Sequence, residues 1–316
     1  PTRRSSDLPA GALISANPDG SFNFTPPPGV TGEVSFDFTL CDDASTPACA
    51  DGTATVTVAG PTVWFVDGGV TTDGNGTLTA PFKTLAGANI AADGDGDRVF
   101  VYSGTYTDGI TLPNNARLIG QGMATPGGGS FDSVLGLGTI PAGTASRPTL
   151  DGITPVIGPV AITGTGTTVV RGVAIQSSSV TGLSASTTAS LDIAETSVSA
   201  TGAGAVSLSG TTGSVILSST SSSGGTNNVR LNNVAGTVSL GTGTLSNASG
   251  ASFDVSGGTA GVSYAGDITN ITQRVVAVSS KTAGTVSLSG AISGSGSSQG
   301  IFLNSNTGAT VAFSGP

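Results

Sequence analysis

The sequence predicts an all-β chain: a right-handed parallel β-helix with a short N-terminal capping helix, preceded by a partial antiparallel β-sandwich module. Two observations support the β-helix. Seven apolar residues recur at intervals of 22 to 25 residues through the second half of the chain. The segments around them, such as GSVIL, GTVSL and AGVSY, are near-copies of one strand. A period of this length is typical of a solenoid, whose stacked coils supply the core that one coil lacks.

The recurring apolar residues define the predicted core column of the β-helix. Their successive intervals are 22, 24, 23, 24, 24 and 25 residues, so each coil contributes one member. Stacked at the same phase, their side chains would point into a shared interior. The seven members of this column are Val169, Leu191, Val215, Val238, Val262, Val286 and Val311.

Composition fits a narrow interior built from small side chains. The 316 residues include 50 glycines, only 5% are aromatic and only 9% are charged. So few large side chains cannot fill a wide core, yet a mean hydropathy of +0.23 is too apolar for a disordered chain. The net charge of −9 provides no basic patch for a phosphate backbone, so we expect no nucleic-acid partner. No run of 18 apolar residues occurs, and no membrane span is predicted.

The first part of the chain divides into two segments. Residues 1–8, PTRRSSDL, resemble the translation of the common sequencing-adapter oligonucleotide CCTACACGACGCTCTTCCGATCT, and we interpret them as an artefact. Residues 9–60 alternate apolar and polar side chains in SFNFTP, EVSFDFTL and GTATVTV, which is typical of strands. Cys41 and Cys49 flank the turn between two of these strands, which favours a disulfide over two free thiols and hence an oxidising, extracellular location.

The string ANPDGSFNFTPPPGVTGEVSFDFTLCD, followed by DGTATVTV, resembles bacterial cadherin-like and immunoglobulin-like surface modules. The resemblance covers part of such a module and implies that its first strands lie upstream. It also implies that acidic residues near domain junctions hold calcium. Asp42, Asp43 and Asp51 would be the candidates here, although a solvated turn is the alternative.

Residues 61–120 are predicted to start and cap the β-helix. The string VWFVDGG, then PFKTLAGANIAADGDGDRVFVYSGTYTDGITLPNNARLIGQG, resembles the N-terminal part of pectin-lyase-like parallel β-helix proteins. Pro81 is placed at the start of a helix whose apolar face contains Phe82, Leu85, Ala86 and Ile90. Residues 121–316 form the predicted body, beginning with a Gly- and Pro-rich loop and ending without a cap, so we expect a longer natural protein.

A second ladder of strands is visible in the body. The triplets Val-Arg-Leu, Phe-Asp-Val, Val-Ala-Val and Ile-Phe-Leu begin at positions 229, 253, 276 and 301. Their outer members are predicted to point inward and their middle members outward. Arg230 would then lie beside Asp254 on the next coil and form an exposed ion pair with it.

The pectin-lyase-like resemblance implies possible polysaccharide lyase or glycoside hydrolase chemistry, which needs clustered acidic groups. After residue 155 the acids and bases are few, and their phases in the repeat predict that they do not converge. They are Asp192, Glu195, Asp254, Asp267, Arg171, Arg230, Arg274 and Lys281. We therefore predict no catalytic residues and no organic cofactor in this segment.

One motif suggests a metal. Asp93, Asp95 and Asp97 alternate with glycines, a pattern that can wrap oxygen ligands around Ca²⁺, although a solvated turn is the alternative. A Thr-x-Thr face of the ice-binding kind is not predicted, because Thr242 and Thr244 reduce to Gly266 and Ile268 one coil on.

These observations predict an extracellular or cell-surface scaffold of bacterial type, structural or adhesin-like and without catalysis. Its expected partners are surface glycans or proteins of host or neighbouring cells. The alternatives are a polysaccharide lyase or glycoside hydrolase, which requires an acidic cluster in one groove, and a glycan-binding module. Exposed aromatic side chains would mark the latter, with Tyr264 and Phe302 as candidates.

Overall fold

A computed structural model describes residues 2–3, 12–17, 21–26, 30–42, 44–58, 61–124, 130–137, 147–150, 152–186 and 188–316. The chain forms two compact units, Pro1–Thr62 and Val63–Pro316. The first contains antiparallel strands, whereas the strand ladders of the second are parallel. The observed architecture confirms the predicted fold class.

The first unit contains two antiparallel pairings. Its strands are β1 (Thr2–Arg3), β2 (Leu13–Ala16), β3 (Phe22–Thr25), β4 (Gly32–Cys41) and β5 (Cys49–Val58). Strands β4 and β5 pair along their whole length, β1 pairs with β4, and β2 pairs with β3. Phe36 is buried, and the rings of Phe22 and Phe24 lie 5.1 and 6.3 Å from its ring. The alternation seen in the sequence thus produces one apolar face.

The second unit is a parallel β-solenoid. Its first half contains β6 (Val63–Val66), α1 (Leu85–Ala91), β7 (Arg98–Val101), β8 (Ile110–Leu112), β9 (Arg117–Gly120), α2 (Phe131–Leu135), β10 (Val156–Ile157), β11 (Val160–Ile162), β12 (Thr167–Arg171), β13 (Ala174–Ser177), β14 (Leu183–Ala185), β15 (Ser190–Thr201), β16 (Val206–Ser209) and β17 (Thr212–Ser223). Its second half contains β18 (Val229–Asn232), β19 (Thr237–Ser239), β20 (Thr244–Ser246), β21 (Phe253–Ser256), β22 (Gly261–Tyr264), β23 (Asp267–Asn270), β24 (Arg274–Ser279), β25 (Thr285–Leu288), β26 (Ile292–Gly294), β27 (Gly300–Asn304) and β28 (Thr310–Phe313).

These strands stack into two sheets. Sheet A has 15 strands, and its main path runs from β6 through β7, β9, β12, β15, β17, β19, β22 and β25 to β28. Its branch contains β10, β13, β20, β23 and β26, which join the main path through β15 and β17. Sheet B has eight strands in the order β8, β11, β14, β16, β18, β21, β24 and β27.

One inward column of sheet A runs from the first coil to the last. Strand register pairs Val215, Val238, Val262, Val286 and Val311 on successive coils, as predicted. Below Val215 the register differs from the prediction. The observed column continues through Ile193, Val170, Leu118, Val99 and Trp64.

Val169 and Leu191 therefore do not belong to the column in which they were predicted. Val169 pairs with Asp192, and Leu191 pairs with Thr168 and Gly213. Leu191 still points inward, because it lies two residues before Ile193 on the same strand. Period-two alternation alone therefore does not show which of these two residues belongs to the column. Val169 is buried on the opposite side, in a second apolar cluster with Phe65, Phe100 and α2.

The segment that was predicted to be a Gly- and Pro-rich loop contributes a helix to this second cluster. The Gly- and Pro-rich segment contains α2, whose buried Phe131 and Leu135 cover the outer surface of sheet A. The predicted capping helix is present as α1, which contributes Leu85 and Ala88 to the interior core. Ile90, however, is 78% exposed, because the helix begins at Leu85 and turns that position to solvent.

Sheet B confirms the second predicted ladder. Strands β18, β21, β24 and β27 pair in the register read from the triplets, with Arg230 opposite Asp254. The outer members are buried in the first three of these strands, whereas Ile301 and Leu303 on β27 are exposed. The middle members form an outward column, which defines one long surface of the solenoid.

Candidate functional site

The carboxylates of the predicted calcium loop point in different directions. Asp97 is buried, and its Oδ2 accepts hydrogen bonds from Trp64 Nε1 at 3.3 Å and from the backbone N–H of Gly94 at 3.2 Å. Asp93 and Asp95 are exposed, and Asp95 accepts a hydrogen bond from Asn115. Within the described ranges no three His, Cys, Asp or Glu side chains are gathered for a metal ion. Calcium binding here stays a prediction.

Cys41 and Cys49 form the predicted disulfide. They are directly opposed at the ends of β4 and β5, with their Cα atoms 4.1 Å apart. Beside them, Asp42 accepts backbone hydrogen bonds within its own turn, and Asp51 accepts one from Thr39 across the hairpin. Asp43 lies outside the described residues. The carboxylates of Asp42 and Asp51 therefore accept hydrogen bonds that stabilise the hairpin.

Three charged residues of the solenoid come together, contrary to the prediction that they are dispersed. Arg171 Nη2 lies 3.1 Å from Asp192 Oδ1, and Arg171 also attracts Glu195. Glu195 lies in a β-bulge of β15, between Ile193 and Thr196, and has a φ of 52°. The bulge was not visible in the repeat, and it brings Glu195 toward the Arg171 side.

The two carboxylates of this cluster differ in their electrostatic environment. Burial raises the pKa of Glu195, and the nearby Arg171 guanidinium partly offsets that rise. Glu195 Oε2 and Arg171 Nε are both shielded from solvent and have no hydrogen-bond partner in the described part of the chain. The cluster thus contains one ion-paired carboxylate, that of Asp192, and one carboxylate, that of Glu195, whose pKa is raised above its ordinary value.

Arg230 and Asp254 occupy the adjacent positions predicted for them, but they do not close an ion pair. The described residues form two ion pairs, Arg147 with Asp132 and Arg171 with Asp192. Burial raises the pKa of Asp254, and the attraction of Arg230 opposes that shift. The register prediction is confirmed, whereas the predicted pairing is not observed.

A groove follows the outward column of sheet B, and we call it the axial groove. Two adjoining cavities of about 560 and 390 Å³ share Val180, Thr181 and Ser207 in their lining. Small side chains form most of its floor, and Arg230 lies at one end. From coil to coil the floor residues are Thr111, Ala161, Ser184, Ser207 and Arg230.

A second surface lies on the branch of sheet A, and sequence reasoning missed it. Backbone pairing places Thr242 beside Ser219, and Ser219 beside Ser197. The prediction matched Thr244 with Ile268 one coil on, whereas the observed partner of Thr244 is Asp267, one residue away and on the opposite face of the strand. With the observed register, three successive coils present three outward hydroxyl side chains each. This hydroxyl face contains Ser197, Ser199, Thr201, Ser219, Ser221, Ser223, Thr242, Thr244 and Ser246.

Among the residues that the structure describes, one lysine is buried in the interior. Lys281 is fully buried, and its Nζ donates a hydrogen bond to the carbonyl of Ala260 at 2.6 Å. No carboxylate pairs with Lys281 among the described ion pairs. Burial lowers the pKa of Lys281, as expected for an ammonium group removed from water.

Comparison with known proteins finds one similarity, which lies in the first unit. Residues 3–59 match the family model of a bacterial Ig domain. This match begins at residue 3, so it includes most of the segment interpreted as an artefact, and that interpretation stays a prediction. The Ig-like module covers a minor part of the chain. No curated protein and no solved structure matches the sequence.

The Ig-like module and its disulfide are compatible with an extracellular protein. In the part of the chain that the structure describes, no helix has the length and apolar character needed to cross a membrane. The comparison supports the immunoglobulin-like resemblance. The more specific cadherin-like and pectin-lyase-like resemblances stay predictions.

Proposed function

We propose that this chain is a structural and adhesive component of a bacterial surface or secreted protein, and that it acts by binding rather than by catalysis. The observation that carries the proposal is the type of surface that the solenoid presents. Two long outward surfaces present hydroxyl groups: the hydroxyl face consists of serine and threonine, and the axial groove combines Ser, Thr and Asn side chains with glycine and apolar residues. Such surfaces offer repeated hydrogen-bonding positions to an extended partner.

The solenoid is suited to presenting those surfaces. Each coil contributes one rung, and neighbouring rungs lie about 4.8 Å apart, so positions repeat along the stack. The rungs share the continuous inward column and cannot shift independently of it. The bacterial Ig domain match supports the same role, because the solenoid shares one chain with the matched residues 3–59. Surface glycans and proteins of host or neighbouring cells are the proposed partners.

A second candidate function is polysaccharide cleavage, and the Arg171–Asp192–Glu195 cluster favours it. General acid catalysis requires a carboxyl group with a raised pKa, and a second, ionised carboxylate would complete a hydrolase pair. Burial raises the pKa of Glu195, and Asp192, 3.1 Å from Arg171 Nη2, is the second carboxylate of the cluster. Against this role, one of the two carboxylate oxygens of Glu195, Oε2, is shielded from solvent.

The experiment measures adhesion and turnover with the whole chain. Beads coated with the protein are incubated with bacterial and epithelial cells, and the soluble protein is incubated with neutral and acidic polysaccharides. We expect bead retention and no release of reducing ends or unsaturated uronates. Product release that Glu195→Gln abolishes would establish the enzyme instead. Absence of both retention and product release would refute the adhesive function.

A further inference from the structure

We propose that the hydroxyl face is a docking surface for a neutral polysaccharide chain, an inference that rests on the adhesive function above. The register across the face is regular. Residues 197–201 of β15 pair one-to-one with residues 219–223 of β17. Strand β20 continues the same register, with Ser222 opposite Leu245 and Ser223 opposite Ser246. The nine hydroxyls therefore form a three-by-three array.

The dimensions of this array follow from β geometry. Rungs are about 4.8 Å apart, and alternate residues along a strand are about 6.8 Å apart. The intervening side chains, including Val198, Thr220 and Leu245, are buried, which directs the nine array residues outward. Extended glycans repeat at about the spacing of one rung, so successive sugars can meet equivalent hydroxyls.

The array hydroxyls are available for intermolecular hydrogen bonds. Within the described chain, none of the nine donates a hydrogen bond, and three accept one, from the backbone of Thr244 or the amide of Asn247. Inward hydroxyls behave differently. Thr220 donates to the carbonyl of Leu240, and Ser222 donates to that of Ala203. The inward hydroxyls therefore stabilise the solenoid, whereas the array hydroxyls face solvent.

The chemistry of the array selects the partner. None of its nine positions carries a charge, although the whole chain has a net charge of −9. Gln176 and Asp267 lie on the rungs that bound it, opposite Ser199 and Thr244. The array also lacks the aromatic and long aliphatic anchors that dominate protein–protein interfaces. It lacks as well the exposed aromatic rings by which a glycan-binding module was predicted, so hydrogen bonds to its hydroxyls alone would hold the polymer. A polymer that offers neutral hydroxyls at regular intervals is the partner that this surface fits.

Ice also presents ordered hydroxyls, but the composition of the array favours a polymer. Six of its nine residues are serine. Serine is not β-branched, so its hydroxyl has more rotational freedom than that of threonine and adapts to an irregular partner. We treat inhibition of ice growth as an outcome of the test that would contradict the proposal.

The test compares adsorption of the full chain to insoluble cellulose and chitin with its binding to soluble polygalacturonate. The variant Ser197→Ala/Ser219→Ala/Thr242→Ala removes one column of the array, whose hydroxyls make no hydrogen bonds within the described chain. A matched control, Ser239→Ala/Ser263→Ala/Ser287→Ala, removes an outward serine column from the main path of sheet A. Thermal unfolding of each variant verifies that the fold is retained.

We expect cellulose or chitin binding that weakens about fivefold or more in the array variant and stays unchanged in the control. The hydroxyl-preserving variant Ser197→Thr/Ser219→Thr/Thr242→Ser should retain it. Equal binding by array and control variants, binding only to polygalacturonate, no polysaccharide binding, or ice-growth inhibition alone would each overturn the proposal. If coated beads still adhere to cells in any of these cases, the adhesive function stands and only the neutral-polysaccharide inference fails.

Discussion

At the scale of single residues, the interior of the solenoid tolerates polar groups where a local partner compensates their burial. Asn270 illustrates this: its amide donates to the carbonyls of Ala248 and Gly250 and accepts from two backbone N–H groups. Lys281 is less well compensated, because among the described residues its ammonium group donates to one carbonyl, that of Ala260, and no described carboxylate neutralises it. Its burial is therefore a cost to folding that depends on pH.

We expect Lys281→Met to raise the free energy of unfolding at pH 7 by an amount on the order of 1 kcal/mol. The folded-state pKa of Lys281 is lowered by burial, so between that value and the unfolded value of about 10.4 the unfolded chain binds more protons. Wild-type stability rises with pH across that window, and the advantage of the variant shrinks. Urea unfolding from pH 7 to 11 measures the difference.

Lys83→Met is the matched control, since Lys83 is exposed and is the other lysine of the chain. Its effect should be small and independent of pH. A Lys281→Met variant that is less stable than wild type at every pH would show that the hydrogen bond to Ala260 outweighs the cost of burying the ammonium group.

At the scale of one strand, alternation decides which side chains stabilise the stack. In β19, Val238 is buried between Val215 and Val262, whereas the adjacent Ser239 faces outward. Truncation of the inward residue removes apolar contacts on both sides, and truncation of the outward one exposes little. Val238 and Ser239 are adjacent, yet they contribute differently to stability because their side chains point in opposite directions.

We expect Val238→Ala to lower the free energy of unfolding by about 2 kcal/mol. Ser239→Ala should change it by less than about 0.5 kcal/mol. Urea denaturation followed by circular dichroism gives both values. Similar losses for the two variants would mean that the observed alternation of β19 is not the one present in solution.

The loop of residues 93–97 before β7, for which a calcium site and a solvated turn are the two predictions, gives a second test at this scale. The hydrogen bond between Asp97 and Trp64 already uses one of the three carboxylates. We expect the melting temperature to be the same in millimolar calcium chloride and in EDTA. A calcium-dependent rise that Asp95→Asn removes would instead establish binding by residues 93–97.

At the scale of the whole molecule, the two units are stabilised by different means. The solenoid gains its core from the stacking of neighbouring coils, whereas the Ig-like module has a smaller apolar cluster and a disulfide between β4 and β5. A cross-link of this kind stabilises mainly by restricting the unfolded chain. Its removal should therefore act on the module that contains it.

We expect reduction of Cys41–Cys49 to destabilise the Ig-like module by about 2–3 kcal/mol and to leave the solenoid unchanged. Hydrogen exchange in β4 and β5 should accelerate on reduction. The fluorescence of Trp64, the single tryptophan and part of the solenoid core, should report the same unfolding midpoint in both states. The variant Cys41→Ser/Cys49→Ser provides a control without reductant, and a shift of the Trp64 midpoint would contradict the expectation.

The sequence by itself determined the period, the strand type and the upper part of the core column, from Val215 to Val311. These features depend on local alternation and on repetition, which are visible in one dimension. The triplets of sheet B were predicted for the same reason, because a charged or small residue between two apolar ones marks the outward position without ambiguity.

Only the tertiary structure decided the register below Val215 and the surfaces that follow from it. Val169 and Val170 are both apolar, because α2 covers the outer surface there, so no polar residue marks the outward side. Because the coil length varies, the pairing shifts from the predicted register, and a shift of one residue exchanges inside for outside, as at Val169 and Val170. The charged cluster and the hydroxyl face both depend on that shift, which backbone hydrogen bonds between distant segments determine.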